Sequence, residues 1–145
     1  MMKEKYPVRF IIFSTQKGKK HEEILSFAER LFLPSEISIH SKANEFSKAV
    51  VEPGFDQRII LILAGSSDDL DQILPFRGLL VNHPVILILP DSKKDTMTRA
   101  LSLYPRYIDY IQNDLKDVFL VLKKMVKKIY GQTVEEKKQR PKNNN

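Results

Sequence analysis

Three groups of residues in this chain have side chains that chemistry uses. The first is Ser14-Thr15-Gln16-Lys17-Gly18-Lys19-Lys20, hydroxyls followed by lysines around one glycine. A loop of this kind ahead of a helix can hold a phosphate group through backbone N–H groups, with Lys17, Gly18 and Lys19 closest to the anion. The second is Ser66-Ser67-Asp68-Asp69. Asp68 and Asp69, joined by Asp91 and Asp114, would offer the several oxygens that a hard cation such as magnesium requires. All four aspartates also stand where helices begin, and negative charge is favourable there without any metal. No metal or cofactor is therefore expected. The third group is His21, His40 and His83, in three separate segments whose spacing makes neither a ligand set nor a catalytic dyad. Ser66 and Ser67 lack the Gly-x-Ser-x-Gly turn that exposes a serine nucleophile. With no cysteine, thiol chemistry, thiolate zinc and disulfides are excluded. Nothing here spells out a reaction, and no enzyme activity is expected.

The elements that would position these residues follow from hydrophobic periodicity. Arg58-Ile59-Ile60-Leu61-Ile62-Leu63-Ala64-Gly65 is apolar on both faces and suits a strand buried on both sides of a parallel sheet. Val8 to Phe13 and Val85 to Leu89 read the same way, whereas Glu36 to His40 and Tyr107 to Ile111 are mixed. Helical patterns fall between them: His21 to Leu33, closed by Pro34; Ala43 to Val51; Ser67 to Val81, broken at Pro75; a helix opened by a Ser92–Asp95 capping box, with Met97, Ala100, Leu101 and Tyr104 inward; and a last helix from Asn113 or Asp114 to a cap at Gly131. Only central strands need apolar residues on both faces. The spacing therefore predicts a three-layer α/β fold of five βα units, with a parallel sheet ordered 2-1-3-4-5. Ligands in such sheets sit at the carboxyl ends of the strands, near the switch between strands one and three.

The chain has 145 residues, the size of one domain, and 42% hydrophobic residues, enough for a packed core. The division expected is a domain over 1–131 and a basic, polar, disordered tail over 132–145. The formal charge of +6 is uneven. Residues 1–20 hold six basic residues and one acidic, residues 123–145 hold eight and two, and the middle holds ten and fifteen. Basic ends attract nucleic acid or anionic membranes, but no reading helix or stacking aromatics accompany them, so neither partner is expected. The chain carries no apolar signal segment and no membrane span, which fits a cytoplasmic location.

The order and spacing resemble the receiver domain of two-component response regulators, one of the flavodoxin-like folds. The likeness runs over about residues 8–130. It is carried by Pro84-Val85-Ile86-Leu87-Ile88-Leu89, by Ala100-Leu101 in the fourth helix, and by Asp117-Val118-Phe119 in the fifth. The resemblance implies a site of fixed parts: an acidic pair for magnesium, an acceptor aspartate ending strand three, a hydroxyl ending strand four, and a lysine ending strand five. The matching positions here are Ser14 and Thr15, then Ala64 (Gly65 with a one-residue slip), Leu89, and Ile111 (Gln112 with a slip). Every role is vacant. What the resemblance then implies is a pseudo-receiver that regulates by protein–protein contact through its fourth helix, fifth strand and fifth helix, with a partner or as a homodimer. Arg106, Tyr107, Tyr110, Leu120 and Lys124 are the residues expected on that face. The alternative is a small-molecule binder at the carboxyl edge. The loop from Ser14 to Lys20 faintly resembles the phosphate loop of flavodoxins, and with Ser66 and Ser67 it would hold a flavin or another phosphate-bearing ligand. Lys17 and Lys20 stand where that family has threonines, and the chain has no tryptophan.

Overall fold

The computed structural model describes the backbone over residues 8–143 and the side chains over residues 8–131. Five parallel strands form one sheet in the order β2-β1-β3-β4-β5. They are β1 (Val8–Ser14), β2 (Ile37–His40), β3 (Gln57–Leu63), β4 (Val85–Leu89) and β5 (Tyr107–Tyr110). The helices are α1 (Lys19–Leu31), α2 (Ala43–Val51), α3 (Ser67–Ile73), α4 (Lys94–Leu101) and α5 (Lys116–Asn143). This is the flavodoxin-like order expected, and the physical cause is the one anticipated. Ile59 to Leu63 and all of Val85 to Leu89 are buried, because helices cover both sides of these central strands.

The two faces of the sheet have separate cores. Phe13, Ile60, Ile62, Ala64 and Leu87 pack with Phe46, Val50, Leu70 and Ile73 of α2 and α3, and with Ala100 of α4. Phe10, Ile12, Ile59, Leu61 and Ile88 pack with Ile24 and Ala28 of α1, and with Val118, Leu122 and Val126 of α5. Two aromatic contacts tie helices to these layers: Phe13 against Phe46, with ring centres 5.5 Å apart, and Phe27 stacked on Phe119 at 4.2 Å. At the amino edge Arg9 donates to the Ser35 carbonyl at 3.1 Å and lies over the Phe55 ring at 4.7 Å. Its β3 neighbour Arg58 fastens the same connection through the Glu52 and Phe55 carbonyls.

Several local expectations are corrected. Pro75 does break the third helix: a 3₁₀ turn, Leu74–Phe76, precedes a last helical turn, Arg77–Leu80. The Ser92–Asp95 capping box does not form. Instead the Asp91 carboxylate accepts the N–H of Lys93, the residue just before α4, at 3.0 Å. Leu101 and Tyr104 do not face the core and are 57% and 67% exposed. The chain leaves α4 through a left-handed residue, Tyr104 at φ 54°, which turns Leu103 inward and Tyr104 outward. Gly131 does not end α5, whose backbone continues to Asn143. The polar tail expected over 132–145 lies outside the described side chains.

Burial also sets a pH response. Burial lowers the His40 imidazole below its usual value, partly offset by Glu45. Burial, then the Arg58 charge, lowers His83. The unfolded chain therefore takes up protons first on acidification. Stability from these groups is intact above about pH 6.5 and declines as pH falls toward the depressed folded values. The urea midpoint should fall on acidification from about pH 7.5 to about pH 5.5, and His40→Gln with His83→Gln should flatten that slope.

Candidate functional site

The carboxyl edge is built by the chain leaving β1 and β3, where connections diverge to opposite faces. Its centre is Asp69 in the first turn of α3, which is 5% exposed. One of its oxygens, Oδ2, accepts the Thr15 hydroxyl at 2.9 Å and the Gly65 N–H at 2.8 Å. The carboxylate thus staples the β1 loop to the β3 loop and satisfies a backbone donor ahead of the helix. Ser66 begins that helix without a side-chain cap bond, so Asp69 supplies the reach-back that a capping residue would. A side chain at Gly65 would meet the Gln16 amide oxygen at 3.0 Å, which is why the staple closes over a glycine.

Beside it, Ser14 is buried and donates its hydroxyl to the Gln16 carbonyl at 3.0 Å. His21 Nδ1 lies 3.0 Å from the Ser14 hydroxyl oxygen. The pair ties the start of α1 to the end of β1. Lys20 extends from α1 to the Asn113 carbonyl at 2.5 Å, bridging the β1 and β5 loops. The β5 loop is closed by buried Asp109, whose Oδ1 accepts from the Tyr110 N–H at 2.8 Å and the Asn113 amide at 2.7 Å.

Between these loops lies a cavity of about 200 Å³. Its lining combines Lys17, Lys19, Lys20 and His21 with Leu63 and Ile111, and no carboxylate belongs to it. Gly18 also lines it, whereas Ser66 and Ser67 do not. The lysine loop is thus brought together with the sheet edge, and the serines expected to share it stand apart.

The positions matching the receiver chemistry are occupied as follows. Ala64 and Leu89 are fully buried in the α2/α3 core, and Ile111 is half-buried against the opposite one. Ser14 and Thr15 are engaged in the loop bonds just described. The four aspartates do not converge. Asp68 is exposed, Asp69 is stapled, and Asp114 accepts the Lys116 N–H at 3.0 Å at the start of α5. The Asp91 carboxyl is held below its usual range by the Thr96 hydroxyl and the Lys93 N–H. Among the described residues no three acidic or imidazole groups are placed to hold a metal ion.

On the outer side of β5, the edge strand, Arg106 is exposed and Tyr107 and Tyr110 are half-buried. The Tyr110 hydroxyl points to Met97 Sδ at 3.7 Å, on the α4 side. Tyr107 packs against the core shared by α1 and α5, and burial, then the Asp109 and Asp117 charges, raises its pKa. Leu120 is 49% exposed and Lys124 is exposed. Arg106, Tyr107 and Tyr110 thus lie on β5 or its entry and Leu120 and Lys124 on α5, while Leu101 and Tyr104 stand exposed at and just after the end of α4. Sequence reasoning missed both because it ran the helical period through Tyr104. It also missed the His21–Ser14 bond, having started α1 two residues late.

Fold and site together define a flavodoxin-like α/β domain with no assembled phosphoryl-transfer centre among the described residues. No protein-family model matches the chain, and no curated protein matches it. Among the described residues no helix is long and apolar enough to cross a membrane.

Proposed function

We propose that this domain is a non-catalytic regulatory module of receiver-like design that acts by protein–protein contact through the face formed by α4, β5 and α5. The observation that carries this reading is a contrast between two edges. At the carboxyl edge the carboxylate nearest the switch point, Asp69, is spent on Thr15 and Gly65, and the acceptor position is the buried Ala64. At the β5 edge, Leu101, Tyr104 and Leu120 stand exposed around an outer strand. Apolar and aromatic side chains grouped at an edge, with cations beside them, are what interfaces use as anchors.

The test compares two sets of variants in quantitative capture and sedimentation. Tyr104→Asp and Leu120→Glu should abolish a partner contact or self-association that Lys17→Glu and Lys20→Glu leave intact. The reverse pattern overturns the proposal and favours the second reading.

That second reading is a small anionic ligand, phosphate-bearing or otherwise, in the cavity at the carboxyl edge. It is favoured by three lysines and a histidine lining that space with no carboxylate among them. The volume of about 200 Å³ is below the usual range for a cofactor-sized ligand, about 300–1,000 Å³. A small anion fits it better than a flavin ring does.

A further inference from the structure

We infer that the α4–β5–α5 face takes an acidic segment of a different protein, seated on Tyr104 and Leu120 and paired with Arg106, Lys124, Lys127 and Lys128. This rests on the contact reading above and names the chemistry of the partner.

The charge argument starts from helical spacing along α5. Val118, Leu122 and Val126 are buried, which fixes the inward side. Phe119 stacks on Phe27, so its flank faces α1. The opposite flank faces β5, and Asp117, Lys124 and Lys128 fall on it at steps of seven and four residues. The charge of Asp117 acting on Tyr107 agrees with this assignment. Leu120 and Lys127 fall on the outward crest. Past Asp117, the flank and crest are cationic, and α5 runs from the carboxyl edge toward the end where Arg106 enters β5. All four cations are exposed. The two ion pairs described, Arg9 with Glu52 and Arg99 with Asp71, leave them without a carboxylate partner among the described residues.

Tyr104 adds a second, independent observation. It is the one non-glycine residue at positive φ among the described residues, at 54°, and it is also the most exposed of the large hydrophobic side chains. A left-handed conformation is unfavourable for an L-residue with a bulky side chain. Here it holds an aromatic ring out in water beside Arg106, where folding gains little from it. Strain kept at an exposed aromatic is a mark of a contact residue.

The same charges argue against self-association. A two-fold dimer places a patch against its own copy, and this one would set Arg106, Lys124 and Lys128 against cations. A segment carrying carboxylates around apolar side chains meets both parts of the surface. Phosphodiester or lipid headgroups would meet the cations but offer no apolar side chains to the exposed Tyr104 and Leu120.

The experiment titrates the full chain, labelled for amide resonance mapping, with a synthetic peptide of Glu, Leu and Phe. A counterpart carries Gln for every Glu. The acidic peptide should shift Tyr104, Arg106, Tyr107, Leu120, Lys124 and Lys128. It should weaken about tenfold or more between low and high salt, and about as much with Lys124→Glu plus Lys128→Glu. Tyr104→Gly, which relieves the strain and keeps the fold, should lose the binding. Equal binding of the Gln peptide at this face overturns the acidic-partner inference but leaves the contact reading standing. Shifts confined to the lysines around the carboxyl edge overturn both. Stronger occupation of the face by duplex DNA or anionic vesicles, or concentration-dependent dimerisation through it, also overturns the inference.

Discussion

Ala64→Asp, which puts back the carboxylate that the resemblance calls for, should destabilise this domain by about 4 kcal/mol or more and should not create a magnesium site. Ala64 is fully exposed to packing and not at all to solvent, within the cluster that contains Phe13, Phe46 and Leu87. A carboxylate there loses its hydration. Ionised, it carries an effective burial penalty of several kcal/mol; protonated, it still needs a partner and must overpack the core. No ammonium group offsets this. Lys17, Lys19 and Lys20 line the cavity reached by Leu63 and Gly65, and Ala64, between those two in an extended chain, points the other way. Denaturant unfolding with and without magnesium reads the result. A variant as stable as wild type, further stabilised by millimolar magnesium, would mean that the edge is an open phosphoryl site.

Asp69→Ala should be nearly as damaging, at about 3 kcal/mol, because it strips the acceptor from two donors at once. The Gly65 N–H, 2.8 Å from Oδ2, is backbone and cannot turn away; the Thr15 hydroxyl, at 2.9 Å, can turn toward water. Each buried donor left without an acceptor costs about 1–3 kcal/mol, more when the lost acceptor was charged. Asp69→Asn keeps an acceptor oxygen and should cost roughly half as much, and Thr15→Val about 1 kcal/mol. This ordering separates a staple from a reactive group. A catalytic or metal-binding carboxylate would more often be stabilised on removal, since sites held for function carry strain. Unfolding midpoints of the three variants, taken in urea at one pH, decide between them.

The fold was legible because burial on two faces leaves a simple trace. Runs such as Ile59 to Leu63 and Val85 to Leu89 have no polar side, so they had to be central, and the mixed runs Glu36 to His40 and Tyr107 to Ile111 had to be edges. Local ends were less legible, since several motifs compete for each. Ser92 and Asp95 fit a capping box in sequence, but the helix starts after Lys93, whose N–H is taken by Asp91. Gly131 looks like a stop, yet a helix can run through a glycine at a cost of about 1 kcal/mol. The left-handed turn at Tyr104 had only Pro105 as a warning. Proline restricts the residue before it without specifying which way the chain will turn.

The site was half legible. Ser66-x-x-Asp69 is a spacing that reaches back over a helix start, so the Asp69 staple was visible in outline as a helix-end charge. Its second bond, to Thr15, joins residues 54 apart in sequence. No local pattern announces such a pairing. The same holds for Lys20 reaching Asn113, a separation of 93 residues. The first follows once β1 is known to lie beside β3, and the second once α1 and α5 are known to cover the same face of the sheet; neither follows from spacing alone.

The most direct measurement is amide resonance mapping of the wild-type chain during titration with magnesium and then beryllofluoride. A domain whose carboxylates are committed to its own loops should leave Ser14, Thr15, Ala64, Gly65, Asp69, Leu89 and Ile111 unshifted throughout. Saturable shifts converging on Ala64, Asp69 and Leu89 would contradict the account.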